Sequence, residues 1–400
     1  MKIINDPVFG FIRIPEGPLL DIVNHPAFFR LSRIKQLGLA SVVYPGAQHT
    51  RFQHSLGAYH LMTRATESLK RKGHFIFDSE EEAVLAAILL HDVGHGPFSH
   101  VLEHTLTEGI SHEDVSLMIM ERMNEEMNGA LTLAIKIFKG DYPKQFLHQL
   151  ISSQLDMDRL DYLRRDSFFT GVTEGNIGSA RIIDMLNVVD DHLVVEKKGI
   201  YSIENYLVTR RLMYWQVYLH KTAVAAEHVL INALRRAKWL TAQGVELFAS
   251  PALKFFLAGT SNISEEAGFL EAFLALDDND IWCALNVWQQ HDDKVLALLA
   301  HDFINRRIFR VEVSDEPFPE DYVMQKTEKQ ARHFGLSDSD ARYLVAQKAV
   351  GKDMYNPLDD RIEILEKDGS IHDVTEVSDM LNIDTLSKHV RKYYLCTQRF

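Results

Sequence analysis

Most apolar residues of this chain fall in helical spacing, and one stretch stands out because it has no polar face. Ala83 to Leu90 is apolar without interruption. A helix apolar all round belongs in a core, where no side meets water. Ser79 with Glu82 three residues later supplies a capping-box start, and Gly94 supplies a stop. A second helix opens at Arg51 and runs to about Leu69, and a third begins within Gln154–Tyr162. Ser111 to Asp114 reads as another helix start. That places His112 at a helix N-terminus, where free N–H groups favour anions.

Residues 15–180 read as successive helices joined by short turns. Val188 to Tyr201 breaks the rhythm, since Leu193-Val194-Val195, Lys197-Lys198-Gly199 and Ile200-Tyr201 predict a β-hairpin near 188–203. Helical spacing resumes from about Asn205 to Leu240 and continues less regularly to Leu299. From Arg307 the texture changes. Ile308 to Val313 alternates like a strand, and Ile362 to Leu365 leads into a turn at Lys367–Ser370. The expected fold is therefore mainly α, with a helical domain over 1–304 and a small α+β C-terminal lobe over 305–400. No repeat or low-complexity linker separates them, so the two are expected to pack closely.

Composition narrows the function. The 400 residues are 46% hydrophobic, enough for a substantial core. Lys plus Arg total 43 against 56 Asp plus Glu, a net charge of −13, which argues against nucleic acid as the main partner. A small phosphorylated substrate remains compatible, because a few arginines and a metal ion offset a negative whole locally. Cys283 and Cys396 give no disulfide framework. The start lacks an apolar signal segment and no run reaches membrane length, so a cytoplasmic protein with no membrane partner is expected.

The chemistry concentrates at His91-Asp92, where the buried helix ends. Polar groups in that setting need partners. His95 and His100 follow across Gly96-Pro97, whereas His291-Asp292, His301-Asp302 and His372-Asp373 have no comparable surroundings. With His54 and Asp158, the pair can complete a set of two imidazoles and two carboxylates. That set suits Zn, Mn, Fe, Ni or Mg better than a thiolate-preferring metal. A helix-end cluster satisfied by hydrogen bonds alone is the plain alternative. Asp158, Tyr162 and Asp166 are four apart and share one helix face.

Several motifs in one order resemble the HD-domain phosphohydrolase superfamily. They are Asn5-Asp6-Pro7-Val8-Phe9-Gly10, Arg30-Leu31, Ile34-Lys35-Gln36-Leu37-Gly38, Tyr44-Pro45-Gly46-Ala47, Arg51 to Gly57, His91 to His100, and Asp158 to Asp166. Within the superfamily the nearest likeness is to the dNTP triphosphohydrolases of the type that joins a SAM domain to an HD domain, here without a SAM domain. The resemblance implies that His54, His91, Asp92 and Asp158 hold one divalent metal ion. It implies that His95, His100 and His112 form the catalytic centre with Glu103, which stands where relatives carry the shorter Asp. Arg51 and Arg210 match phosphate-contacting arginines, suited by the guanidinium fork. Gln36 and Leu37 match residues against the deoxyribose, and Tyr162, Asp166 and Tyr218 match others of the sugar pocket. Arg159, His220 and Lys221 match further phosphate or base contacts.

The residues alone read differently in places. An exposed helix arginine is the commoner case for Arg210, and Tyr162 and Tyr218 read more readily as core aromatics with a satisfied hydroxyl. The implied reaction is hydrolysis of a dNTP to deoxynucleoside and triphosphate. Alternatives are another HD phosphohydrolase, such as a nucleotidase or phosphodiesterase, and a nucleotide sensor without turnover. The guanine-reading activator site of the SAM-and-HD enzymes falls here on Asn24, Phe29 and Ser32, beside a retained Lys2. That substitution removes a carboxylate and a guanidinium. No GTP-dependent switch is expected, and a homo-oligomer, with a dimer favoured, is expected without nucleotide.

Overall fold

A computed structural model describes residues 1–98, 100–103, 105–107, 109–259, 263–265, 267–352, 355, 361–379 and 390–400. The architecture is mainly α, with small sheets and an α+β region near the C-terminus. The chain opens with an antiparallel hairpin of β1 (Lys2–Asp6) and β2 (Gly10–Ile14). Two short helices, Pro18–Asn24 and Pro26–Phe29, lead to the first long one, α1 (Arg51–Arg71). Thr50 caps α1, with its backbone N–H donating to Gln53 at 2.9 Å.

The apolar run forms α2 (Asp78–Leu90), and every residue from Ala83 to Leu90 is buried. Its start differs from the expectation at Ser79. Phe77 is the N-cap, and Glu80 accepts the Phe77 N–H at 2.9 Å while also taking Tyr142 and Lys144 at 2.6 and 2.7 Å. The shift has a simple cause: Glu80 has partners in the fold that fix it at the capping position. Gly94 also works differently from a left-handed stop. A Cβ there would lie 2.2 Å from the His112 carbonyl and the Ser116 N–H, so its bareness lets α3 (His112–Glu126) approach. Ser111 caps α3 as expected, accepting from Asp114 at 3.1 Å.

The third helix of the centre is α4 (Met157–Thr170), capped by Asp156 and ended by left-handed Gly171. It packs along α1 at Gly57, where a Cβ would lie 1.9 Å from Asp161 Oδ1 and 2.1 Å from an Arg165 nitrogen. Three helix surfaces thus meet around the ends of α2 and the starts of α1 and α4.

The hairpin is real but sits earlier than expected, as β3 (Leu186–Val189) and β4 (His192–Glu196). Its turn is Asp190-Asp191, both at positive φ (49° and 61°), the conformation a two-residue hairpin turn requires. Lys197–Gly199 is instead a 3₁₀ turn into α5 (Ile200–Met213), with Gly199 pressed against Met185 and Val195. A π-helical stretch, Tyr214–Tyr218, separates α5 from α6 (Lys221–Ala242). Shorter helices then lead to α7 (Asp278–Trp288) and α8 (Lys294–Ile304).

Beyond α8 come β5 (Arg310–Ser314), α9 (Glu320–Phe334) and β6 (Val345–Lys352). The strands β7 (Glu363–Leu365), β8 (Ile371–Asp373) and β9 (Val390–Thr397) follow. β9 lies between β5 and β6, antiparallel to both. β7 pairs in parallel with β4, extending the earlier hairpin into a sheet of order β3-β4-β7-β8. One apolar core runs from Ile12 to Cys396 and takes residues from most of these elements.

Candidate active site

Three donor atoms converge where α1, α2 and α4 meet. The Nε2 atoms of His54 and His91 lie 3.3 Å apart, and Asp158 Oδ1 lies 3.1 Å from the first and 3.5 Å from the second. Metal bonds of about 2.1 Å impose ligand spacings of about 3–3.5 Å, so the donors fit an ion. Asp92 borders the same space, 3.7 Å from His54 Nε2 and 3.5 Å from His91 Nε2. Its oxygens also face Arg51, at 2.5 Å, and His95 Nε2, at 3.2 Å.

The far nitrogens of both imidazoles are fixed. His54 Nδ1 meets Asp161 Oδ2 at 2.7 Å, and His91 Nδ1 meets the Ile88 carbonyl at 2.7 Å. Each acceptor holds a proton on Nδ1 and turns an Nε2 lone pair inward, as a metal requires. Asp161 is itself gripped by Arg165 through bonds of 2.9 and 3.0 Å, and Arg165 reaches Asp6 at 2.7 Å. These three lie outside the residues expected from sequence. The i,i+4 spacing of Asp161 and Arg165 was the only local signal for them.

The electrostatics favour a cation at this point. Burial alone would lower the His54 pKa, yet hydrogen bonds to Asp158 and Asp161 carry it up to about 10. Burial likewise opposes ionisation of Asp158, but its bonds to His54 and His91 hold it below the usual carboxylate range. Either a proton or a metal ion meets that demand.

A second group stands beside the first. His95 and His112 stack with ring centroids 4.0 Å apart, and His112 Nδ1 meets Glu103 Oε1 at 2.9 Å. The extra methylene of Glu103 therefore does not prevent the bond. Burial and the nearby Arg51 charge push His95 down to about 3, leaving it neutral, with a buried Nδ1 that has no hydrogen-bond partner among the described residues. Burial also opposes a charged His112, but Glu103 outweighs it and raises the pKa. His100 begins a short helix, His100–Glu103, and its side chain lies outside the described residues.

The expected substrate residues are distributed unevenly. Gln36 donates its N–H to the His49 carbonyl at 3.0 Å, and the Arg51 N–H reaches Ile34 at 2.9 Å, so the Gln36–Leu37 strip is stitched to the start of α1. Gln36 Oε1 is buried without a partner. Tyr162 lies edge-on to Tyr218 at 5.9 Å, and the Tyr218 hydroxyl donates to Asp166 Oδ2 at 2.7 Å. The other Asp166 oxygen meets His49 Nε2 at 2.7 Å, a partner not expected from sequence. Arg210 is buried rather than exposed, with one nitrogen on Gln154 at 2.6 Å and an Nε without a partner among the described residues.

The other three expected contacts, Arg159, His220 and Lys221, lie as follows. Arg159 turns a guanidinium nitrogen to Asp156 and the Ser153 carbonyl. His220 caps α6 by accepting the Thr222 N–H at 3.2 Å, and Lys221 is exposed at the start of that helix. The look-alike pairs are structural too. Buried Asp302 binds both His301 and Gln398, and Asp373 takes the Tyr355 hydroxyl.

Comparison with known proteins agrees with this geometry. Residues 51–166 match the HD domain and residues 177–247 match the HD associated region. A crystal structure of a phosphohydrolase from Bacteroides thetaiotaomicron is 65% identical, with a TM-score of 0.97 and full coverage of both chains. An uncharacterized protein of Bacillus subtilis, YwfO, is 33% identical over 94% of this chain and 88% of its own. Human deoxynucleoside triphosphate triphosphohydrolase SAMHD1 is 28% identical over 70% of this chain, which spans about half of that protein. Among the described residues, no helix is long and apolar enough to cross a membrane. The chain belongs to the HD-domain phosphohydrolase superfamily.

Proposed function

We propose that this HD-domain phosphohydrolase acts on deoxynucleoside triphosphates, releasing deoxynucleoside and triphosphate. The observation that carries the reading is the adjacency of two devices: the His54–His91–Asp158 cluster, bordered by Asp92, and the stacked His95–His112 pair. A divalent ion held on those four residues would supply Lewis-acid stabilisation of charge on a phosphoryl group. The protein's own groups do the rest. Arg51 and Arg210 supply guanidinium donors for the polyphosphate, and the buried Nε of Arg210 gains a partner when an anion arrives. Neutral His95 accepts or relays a proton through Nδ1. His112, whose protonated form Glu103 favours, donates to the departing sugar oxygen, and His100 is assigned to the same catalytic group by the family resemblance.

Sugar selection falls to Gln36, Leu37, Tyr162, Asp166 and Tyr218. Asp166 is held at both oxygens, by His49 and Tyr218, so it presents a fixed acceptor to a ligand hydroxyl. A 2′-hydroxyl left against such a wall without a partner costs about 1–3 kcal/mol, roughly ten- to a hundredfold in rate. The test is a panel of dNTPs and NTPs with Mn, Mg, Fe, Ni and Zn, with products resolved by chromatography. Triphosphate from dATP, formed at least about tenfold faster than from ATP, is the expected result. Release of single phosphate, or equal rates on the two sugars, would favour a nucleotidase or a general phosphohydrolase.

A further inference from the structure

We infer that Asp278 is a positioning residue that clasps two walls of the active site, the Gln36–Leu37 strip and the segment from His95 to Phe98, in one register. The inference rests on the reading of those segments as the sugar wall and the catalytic histidines. Asp278 is the first residue of α7, and it does none of the work of capping that helix. Asp277 does that, accepting the Asn279 N–H at 2.8 Å, while Asp280 holds the Asp277 N–H at 2.8 Å. The Asp278 carboxylate is 4% exposed and spends each oxygen on a distant loop. Oδ2 accepts the Lys35 N–H at 3.0 Å, immediately before Gln36, and Oδ1 accepts the Phe98 N–H at 3.3 Å, between His95 and His100.

The loops it joins need holding. Phe98 sits at φ +51°, a conformation that costs a residue with a Cβ energy and persists only when its surroundings enforce it. The strip's end and the loop lie close together, since a Cβ added to Gly38 would be 3.9 Å from the Phe98 Cα. The residues before α7 bind the turn Arg30–Arg33 that leads into the strip, and through Arg30 they reach the His95 carbonyl. Asp277 takes the Arg33 Nε at 2.5 Å. The Leu276 carbonyl takes the Arg30 Nε at 2.9 Å, and Arg30 in turn donates to the His95 carbonyl at 3.0 Å. Burial pushes the Asp278 pKa up to about 6, opposed by the two N–H bonds, so the carboxylate is ionised at neutral pH and accepts both. Misplacing catalytic groups by about 1 Å can cost about a hundredfold, so a single shared anchor for both walls bears directly on rate.

The test compares Asp278→Asn with Asp293→Asn in the full-length, metal-loaded protein. Asp293 is a matched control: it caps α8, accepting the Leu296 N–H at 2.8 Å, and pairs with Arg236, outside the active site. Asp278→Asn keeps the shape but puts an amide NH₂ opposite one of the two N–H groups. The expected result is unchanged metal content, a Tm no lower than that of Asp293→Asn, and a kcat at least tenfold lower. Peptides spanning Lys35 and Phe98 should also exchange amide hydrogens at least tenfold faster than in wild type or Asp293→Asn. Unchanged exchange at both peptides would overturn the clasp, and faster exchange with a kcat equal to that of Asp293→Asn would overturn its bearing on catalysis. If the wild-type protein hydrolyses no nucleotide, the proposed function fails by itself, and the exchange measurement alone decides whether the clasp exists.

Discussion

His54 Nδ1 and Asp161 Oδ2 are 2.7 Å apart in a site where neither side chain is exposed, and this bond turns the opposite nitrogen of His54 toward His91 and Asp158. The carboxylate is no incidental neighbour. Arg165 fixes it from one turn further along α4, and Asp6 fixes Arg165 from the N-terminal hairpin, so two other segments set one imidazole of α1.

Removing that support should loosen the ion without removing a ligand. Asp161→Asn is expected to weaken metal affinity by about ten- to a hundredfold, the usual effect of losing a carboxylate behind a metal-binding imidazole. Metal titration followed by atomic absorption checks this, with circular dichroism to confirm the helical fold. Wild-type affinity would mean that Asp161 serves only the ion pair with Arg165.

The raised pKa of His112 has a pH signature. The folded chain holds this proton more tightly than an unfolded one, whose imidazole titrates near 6.5. The pair's contribution to stability is therefore complete below about pH 6.5 and fades as pH rises through the folded value. Activity that uses the protonated form falls over the same range. Glu103→Gln should move the alkaline limb of kcat/KM to lower pH, and an unmoved limb would remove His112 from the role of acid.

The early helical segment bears on regulation. Lys2 is spent on Asn24, with Nζ to Oδ1 at 2.9 Å, and Phe29 is 53% exposed, lying edge-on to Phe52 at 5.8 Å. An amide and a phenyl ring offer no guanidinium or carboxylate to read guanine. GTP at fixed dNTP should change neither sedimentation nor rate, and a dimer should be present without it. A rise in both mass and rate on adding GTP would show that an activator site operates.

Much of the frame was legible because local rules set it. The apolar run from Ala83, the helix starts at Arg51 and Ser111, and the shared face of Asp158, Tyr162 and Asp166 needed only spacing. The hairpin turn was misplaced because Asp190-Asp191 lacks the glycine that usually marks positive φ, whereas Gly199, which resembles a turn residue, is there to fit beneath Met185. Arg210 read as exposed because its burial depends on Gln154, and Gln154 comes from a segment 56 residues away. Asp278 was invisible for the same reason, since its partners lie 180 and 243 residues distant. The family resemblance carried the ligand set; geometry then added the groups behind it.

The central claim is that His54, His91 and Asp158, bordered by Asp92, hold a divalent ion on which turnover depends. It is tested most directly by measuring metal content and hydrolysis rate together in wild type and in Asp158→Ala. The account predicts one bound ion per chain in wild type. In the variant it predicts loss of both the ion and the rate while the helical circular dichroism is retained. A folded Asp158→Ala protein with wild-type metal content and wild-type rate would contradict it.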